Sequence, residues 1–401
     1  MPVAEDAGAN EEEPREKPAR RRRGGTVVDF APHSGRRPKV AVTGGAGFLG
    51  SRLVRSLAAR GDRDIVVMDL APAANAPADV RHRFLDLNLP HSDGTVYKLL
   101  KEEKPDILVH LAALRSPTKD FTYVHELNSL GALNVLAAAG EAGVPRVVLG
   151  GTTMVYGARG DSPAYLTEAH PLRADIADRF VVDFVEAEKH ARDHQRHYPS
   201  SRVVILRFAQ VLGPDIRDYK TRTFESPAVI TMLGYDPVLQ FLHPEDATSA
   251  LVKAVYADEA RGAFNIAPDG VVALSSVLML YGTLPVPVPH PVAYAAIEAL
   301  WLAGVGVAPG AHAHYLRYTC VAANDKAKRA FGWEPQWTTL ETLVETARTR
   351  RGEGRALDFD ALADTARRAA YHLGQTLKGG PPGPPPAEAA PRPAGARRVA
   401  V

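Results

Sequence analysis

Residues 40–50 read VAVTGGAGFLG, an apolar run that breaks into a glycine-rich turn. Val40, Ala41 and Val42 have the pattern of a buried strand. Gly44, Gly47 and Gly50 follow at spacings of three, and Phe48 to Arg60 has the pattern of a helix. Glycine lets the backbone bend and lie close to a diphosphate. The helix N-terminus offers it free N–H groups and the positive end of the dipole. Such a unit calls for an acidic residue about 20 residues further on, at the end of the next strand, to hold a ribose hydroxyl. Ile65 to Met68 reads as that strand, and Asp69 ends it. Strand, glycines, helix, strand and Asp in this order predict a dinucleotide-binding βαβ unit. A plain tight turn would not need Asp69.

The rest of the chain fits that start. Its 401 residues, 45% of them apolar, suffice for one large or two modest domains with a true core. A net charge of +2 gives no case for a nucleic-acid partner. Cys320 is the only cysteine, which excludes an intrachain disulfide and a Cys-rich metal site; no metal is expected. The N-terminus lacks the apolar core of a secretory signal. The longest apolar stretch, Val292 to Ala308, carries Glu298 and falls short of a membrane span. A soluble cytoplasmic protein is the expectation.

Between a charged arm at residues 1–38 and a Pro-rich tail at 379–401, both reading as disordered, the pattern alternates strand and helix. The Arg20 to Arg23 run in the arm reads as a nuclear signal, an anionic-surface contact or simply a solvated tail. Strands are predicted at 39–43, 64–69, 81–85, 106–110, 145–150 and 202–207, and helices at 48–60, 94–103, 122–142 and 174–197. That alternation is the signature of α/β architecture: a Rossmann-type, doubly wound parallel sheet, here with a smaller C-terminal substrate-binding lobe. The expected division is a cofactor domain over 39–213, rejoined by 241–258, a lobe from 214–240 and 259–352, and a further helix over 353–378. Asp86 and Leu87 follow the third strand, where an adenine ring could be gripped. Leu111, Ala112 and Ala113 close the fourth, where small residues let a dinucleotide lie against the strand ends.

From Lys39 to about Gly352 the chain resembles the extended short-chain dehydrogenases, the NAD-dependent epimerase/dehydratase family that includes UDP-glucose 4-epimerase. Thr43 to Gly50 matches its cofactor loop, with Gly44, Gly47, Phe48, Leu49 and Gly50 in the binding positions, and His110 to Ala113 its fourth-strand motif. Asn128 to Ala138, Val155-Tyr156-Gly157, Leu206-Arg207-Phe208 and Phe264-Asn265-Ile266 are further landmarks. So are Gly213-Pro214, Phe241-Leu242-His243 with Asp246, Asp325 to Lys328, and Gly332-Trp333-Glu334-Pro335. The resemblance implies NAD rather than NADP, in agreement with Asp69, because a carboxylate there repels a 2′-phosphate. It also makes a homodimer plausible, through the helices over 121–140 and 175–195.

The chain departs from that family at the chemistry. The family's Tyr-x-x-x-Lys pair places both groups on one helical face. Here the register set by Glu188 puts Phe180 at the Tyr position and Phe184 at the Lys position. The usual Ser or Thr survives as Thr152, the candidate catalytic hydroxyl, and the dehydratases' Asp-Glu pair is replaced by Thr153 and Met154. Tyr156, Tyr165, Asp183 and His190 are the local candidates for a substitute acid or base. The Arg-Asp that pairs with a substrate diphosphate is replaced by Leu239 and Gln240, with Arg317 a possible anion binder further on. The apolar segment Leu284 to Val307, with register Val292, Ala296, Ala299, Leu300 and Ala303, fits a helix packed on the core or one wall of an apolar pocket. Three functions stay open: an NAD-dependent oxidoreductase or epimerase acting on a nucleotide sugar or a less polar alcohol, a non-catalytic NAD-binding sensor, and a scaffold whose tails recruit partners.

Overall fold

The computed structural model describes residues 37–89 and 91–351. The N-terminal arm before Arg37, the helix expected over 353–378 and the tail at 379–401 lie outside them. The first half runs β1 (Lys39–Thr43), α1 (Phe48–Arg60), β2 (Asp64–Asp69), β3 (Arg81–Phe84), α2 (Ser92–Glu103) and β4 (Ile107–His110). It continues through α3 (Phe121–His125), a π-helical turn (Glu126–Leu130), α4 (Gly131–Glu141), β5 (Arg146–Thr152), a 3₁₀ turn (Thr153–Tyr156), α5 (Arg179–His197) and β6 (Arg202–Phe208). Then come β7 (Gln210–Val211), α6 (Tyr219–Glu225), β8 (Ala228–Met232), β9 (Val238–Leu239), β10 (Phe241–Leu242), α7 (Pro244–Tyr256), β11 (Gly262–Ile266) and β12 (Val272–Ala273). The last elements are α8 (Leu274–Tyr281), β13 (Leu284–Val288), α9 (His290–Leu302), a second 3₁₀ stretch (Gly310–Leu316), α10 (Asp325–Phe331) and α11 (Thr339–Arg351).

Seven strands form one parallel sheet in the order β11-β6-β5-β4-β1-β2-β3. Its middle strands are buried on both faces, so they read as unbroken apolar runs rather than alternating ones. Val40 and Val42 pack with Leu53 and Leu57 of α1 and Leu251 and Val255 of α7. Ala41 turns to the other face, with Val96 and Leu100 of α2 and Val135 and Leu136 of α4. The sheet order reverses between β1 and β4, which makes their C-terminal ends the expected crevice for a ligand.

Two of the predicted helices differ by more than two residues from the sequence reading. The helix expected over 122–142 is interrupted by the π-helical turn, a distortion that often marks functional sites. Asn128 within it is buried; its amide oxygen accepts from the Leu114 N–H at 2.8 Å and its amide N–H₂ donates to the Leu114 carbonyl at 3.3 Å. It thereby clamps the loop after β4. The helix expected from residue 174 begins at Arg179, because Asp178 caps it by accepting the Val181 N–H at 3.3 Å.

The segment 284–307 divides into β13, paired in parallel with β8, and α9. The register expected for it is shifted: Val292 is 58% exposed, and the buried face is built on Ala293 and Trp301. A helix apolar on all sides carries no periodicity from which its buried face can be read.

The C-terminal motif docks on α7. Trp333 is fully buried, and its indole N–H donates to Ser249 Oγ at 3.0 Å. The Asp246 carboxylate accepts the backbone N–H groups of Gln336 and Trp337 at 2.9 and 3.0 Å.

Candidate active site

Two cavities meet at the C-terminal ends of the sheet. The first, of about 180 Å³, brings together Gly44, Gly47, Phe48, Leu49, Gly50, Leu111, Ala113 and Thr152. Gly44 has φ +74°, and a Cβ there would lie 2.4 Å from the Ala112 nitrogen, so glycine lets β1 and β4 approach each other. A Cβ on Gly50 would lie 2.1 Å from the Gly44 carbonyl oxygen. No side chain caps α1, and its first turn holds no acidic residue, so its N-terminal amides are left for a ligand. The loop therefore fits a diphosphate on its own geometry.

Asp69 ends β2. Its carboxylate accepts the Ala46 N–H at 2.9 Å and the Leu70 N–H at 2.7 Å, which fixes it beside the glycine turn with lone pairs to spare. Asp69, Ala112, Asp86 and Leu87 are not part of the cavity lining. Asp86 accepts the Asn88 N–H in a turn at 2.9 Å, and Leu87 is buried.

At the inner end of this cavity stand Phe180 and Phe184, edge to face with ring centroids 5.4 Å apart. Arg115 lies over Phe184, its guanidinium carbon 5.6 Å from the ring centre. One guanidinium nitrogen donates to the Gly151 carbonyl at 3.1 Å, while Nη2 is buried without a hydrogen-bond partner. Burial pushes the Arg115 pKa down to about 10. Thr152 caps the first 3₁₀ turn by accepting the Met154 N–H at 3.3 Å, so a structural duty occupies part of its hydroxyl.

The second cavity, of about 220 Å³, shares Met154, Ala209, Gln210 and Tyr219 with the first. Its other walls are chiefly apolar and include Phe224, Leu239, Phe241, Ile297 and Leu316. Tyr219 is 3% exposed, and its hydroxyl is 2.6 Å from Nε2 of His312. His312 Nδ1 is 2.8 Å from a carboxylate oxygen of Asp178. A carboxylate can only accept, so Nδ1 carries a proton, and with no second proton on the ring Nε2 is the acceptor for the Tyr219 O–H. Burial, helped by Asp218 and Asp178, holds the Tyr219 pKa well above its ordinary value. The phenol is therefore protonated at neutral pH. Phe180 lies against the same imidazole, with centroids 6.1 Å apart.

Comparison with known proteins decides the family. The profile of the NAD dependent epimerase/dehydratase family matches residues 40–267. This chain belongs to that family. An uncharacterized protein of Mycobacterium tuberculosis is 32% identical over 349 residues, covering 80% of this chain and 89% of the relative. The 3-diazoavenalumate denitrifying reductase of a Streptomyces species is 30% identical, covering 74% and 96%. The crystal structure of the Thermus thermophilus UDP-glucose 4-epimerase complexed with NAD superposes with a TM-score of 0.59 at 24% identity. That match covers 79% of this chain and 99% of the epimerase, and it carries the fold. NAD is the family's cofactor.

Several family landmarks form one buried network. Arg207 donates to both carboxylate oxygens of Glu188, at 2.8 and 2.7 Å, and to the Tyr156 hydroxyl at 2.6 Å. Tyr156 in turn donates to Asn265 at 2.8 Å. Tyr156 is thus committed to structure. Asp183 pairs with His125 at 2.7 Å, and neither they, Tyr165 nor His190 lines either cavity. Gln240 is spent on the backbone of Ala322, donating at 3.1 Å and accepting at 2.7 Å. Arg317 stacks between Tyr235 and Tyr318, donates to the Tyr235 hydroxyl at 2.9 Å and itself lines neither cavity.

The residues that sequence reasoning missed are Arg115, Asp178, Tyr219, Lys220 and His312. Only Asp178 carries a local signal, as an Asp preceding an amphipathic run.

Substituting Gly47 tests the loop. Its backbone is extended (φ −67°, ψ 170°), and a Cβ would meet only the Gly44 carbonyl oxygen, at 3.2 Å. Gly47→Asp is expected to fold and to weaken NAD binding by roughly tenfold or more, because it sets a negative charge where the diphosphate would lie. Titration calorimetry with NAD measures this. Unchanged affinity would remove the cofactor from Gly44–Gly50.

Proposed function

We propose that this chain is an NAD-dependent oxidoreductase of a weakly polar alcohol or ketone, with its proton transfer moved to Tyr219, His312 and Asp178. One observation carries the reading: the hydrogen-bonded chain from Tyr219 through His312 to Asp178 ends on the wall common to both cavities. Gly44, Gly47, Phe48, Leu49 and Gly50 would hold the diphosphate and Asp69 the adenosine ribose. Phe180 and Phe184 would give the nicotinamide an apolar face, and Arg115 would supply the positive charge that Phe184 cannot. Bound NAD supplies hydride acceptance, and its reduced form hydride donation.

The residues account for the proton. When an alcohol is oxidised, the substrate hydroxyl gives its proton to the Tyr219 oxygen as the Tyr219 proton passes to His312 Nε2. Asp178 stabilises the imidazolium that forms, and a ketone remains. Reduction runs the same path backwards, as microscopic reversibility requires. Leu239 and Gln240 offer no cation for a diphosphate, and this favours a substrate less polar than a nucleotide sugar. The relative named a 3-diazoavenalumate denitrifying reductase supports reductive chemistry.

The test is nicotinamide absorbance of the protein with NADH and a panel of oxodecanoates and aryl ketones, together with chromatography of UDP-glucose incubated with the NAD-loaded protein. Oxidation by the ketones is expected. Tight NADH binding with no oxidation by any of them would make the chain a non-catalytic NAD-binding protein, the reading that Phe180 and Phe184 would then favour. Conversion of UDP-glucose alone would restore sugar chemistry.

A further inference from the structure

The second cavity is apolar on nearly every side, yet one full charge faces it. Lys220 lines the wall next to Tyr219 and is the one Lys, Arg, Asp or Glu to do so among the described residues. Its ammonium lies over the Tyr219 ring, 5.8 Å from the centre, with no hydrogen-bond or ion-pair partner among the described residues. The nearest acid in sequence, Asp218, is already committed. One of its oxygens accepts the Thr221 N–H at 2.9 Å, and the other accepts from the Gln210 side-chain amide. Burial lowers the Lys220 pKa while Asp218, Cys320 and Asp178 oppose it. An ammonium that faces the cavity with no acceptor of its own is free to meet a ligand's charge. The lining also holds exposed apolar side chains: Leu300 and Val305 line the cavity and are 43% and 72% exposed.

We infer that this cavity takes an amphipathic monocarboxylate, its carboxylate on Lys220 and its apolar body along Phe224, Ile297, Leu300 and Val305. One ammonium matches one carboxylate. A nucleoside diphosphate would bring at least two negative charges and a polar nucleoside to a wall with a single cation. The inference rests on the oxidoreductase reading for the word substrate. The site itself stands on the geometry of Lys220 and can be tested without turnover.

The experiment is titration calorimetry of the full chain, loaded with NAD, against octanoate, 1-octanol and UDP. Octanoate is expected to bind roughly tenfold or more tighter than 1-octanol, since a hydrogen bond to a charged group is worth that much in a desolvated site. Lys220→Met should erase the preference and leave NAD affinity as in the wild type, which also shows that the variant folds. Lys220→Arg should retain most of it. Octanol binding as well as octanoate, a preference unchanged in Lys220→Met, or UDP binding tightest of the three would each overturn the assignment. Octanoate bound through Lys220 by a protein that never oxidises NADH would sustain this site and sink the oxidoreductase reading. Ketone turnover without any carboxylate preference would do the reverse.

Discussion

Tyr219→Phe is expected to lower kcat for ketone reduction by on the order of 10²- to 10⁴-fold, the usual cost of losing a positioned acid–base group. KM should move little and NAD affinity not at all, because the phenol ring and the cavity wall remain. The variant loses the buried contacts of the hydroxyl with His312 Nε2 and, more weakly, Met154 Sδ, so its melting point should fall only modestly. Asp178 needs a different variant. It caps α5 as well as orienting His312, and alanine would confound the two duties. Asparagine caps a helix as well as aspartate does. Asp178→Asn should therefore keep the cap of α5 and still reduce kcat, through loss of the charge that stabilises the imidazolium and through the tautomer its N–H₂ imposes on His312. A drop in kcat equal to the drop in folded fraction for either variant would assign that residue to structure alone.

Glu188→Ala carries the largest expected effect on stability. It should destabilise the fold by about 3–5 kcal/mol, because the Arg207 guanidinium would be left buried and uncompensated. Both side chains are 1% exposed. Against burial, Glu188 and Tyr156 hold the Arg207 pKa above the ordinary arginine value, and burial pushes Tyr156 up to about 12. Replacing the pair together, as Glu188→Leu with Arg207→Met, should cost less than the sum of the single losses, since no charge is stranded. Urea unfolding of the two single variants and the double one closes this cycle. Additive losses would mean that the two residues do not act as a pair.

The contrast between these two sets of residues explains what could be read beforehand. The β1–α1–β2 unit was legible because its signals are local: an unbroken apolar strand, glycines forced by the approach of Gly44 to Ala112 and of Gly50 to Gly44, and an Asp at the end of the next strand. The doubly wound sheet followed from the repeat of that pattern. Phe180 and Phe184 were also singled out beforehand, and both rings line the first cavity. The Tyr219–His312–Asp178 chain was not. Asp178, Tyr219 and His312 come from the start of α5, the start of α6 and a 3₁₀ stretch after α9, and only the tertiary fold joins them. No spacing rule connects residues so far apart in the chain. Arg115 escaped for a related reason: its position depends on the Asn128 clamp within a π-helical turn that the helical periodicity does not reveal. In 284–307 the difficulty was physical. Apolar residues on every side of α9 left both alternatives open, and the segment does both: Ala293 and Trp301 are buried while Ile297 and Leu300 line the second cavity.

The central claim is that two protons move together along Tyr219 and His312, and a proton inventory tests it most directly. The rate of oxodecanoate reduction by NADH is measured across mixtures of light and heavy water. The account predicts a bowed dependence on deuterium fraction in the wild type and its loss, with most of the rate, in His312→Asn. A linear dependence retained in His312→Asn, or no reduction at all by the wild type, would contradict it.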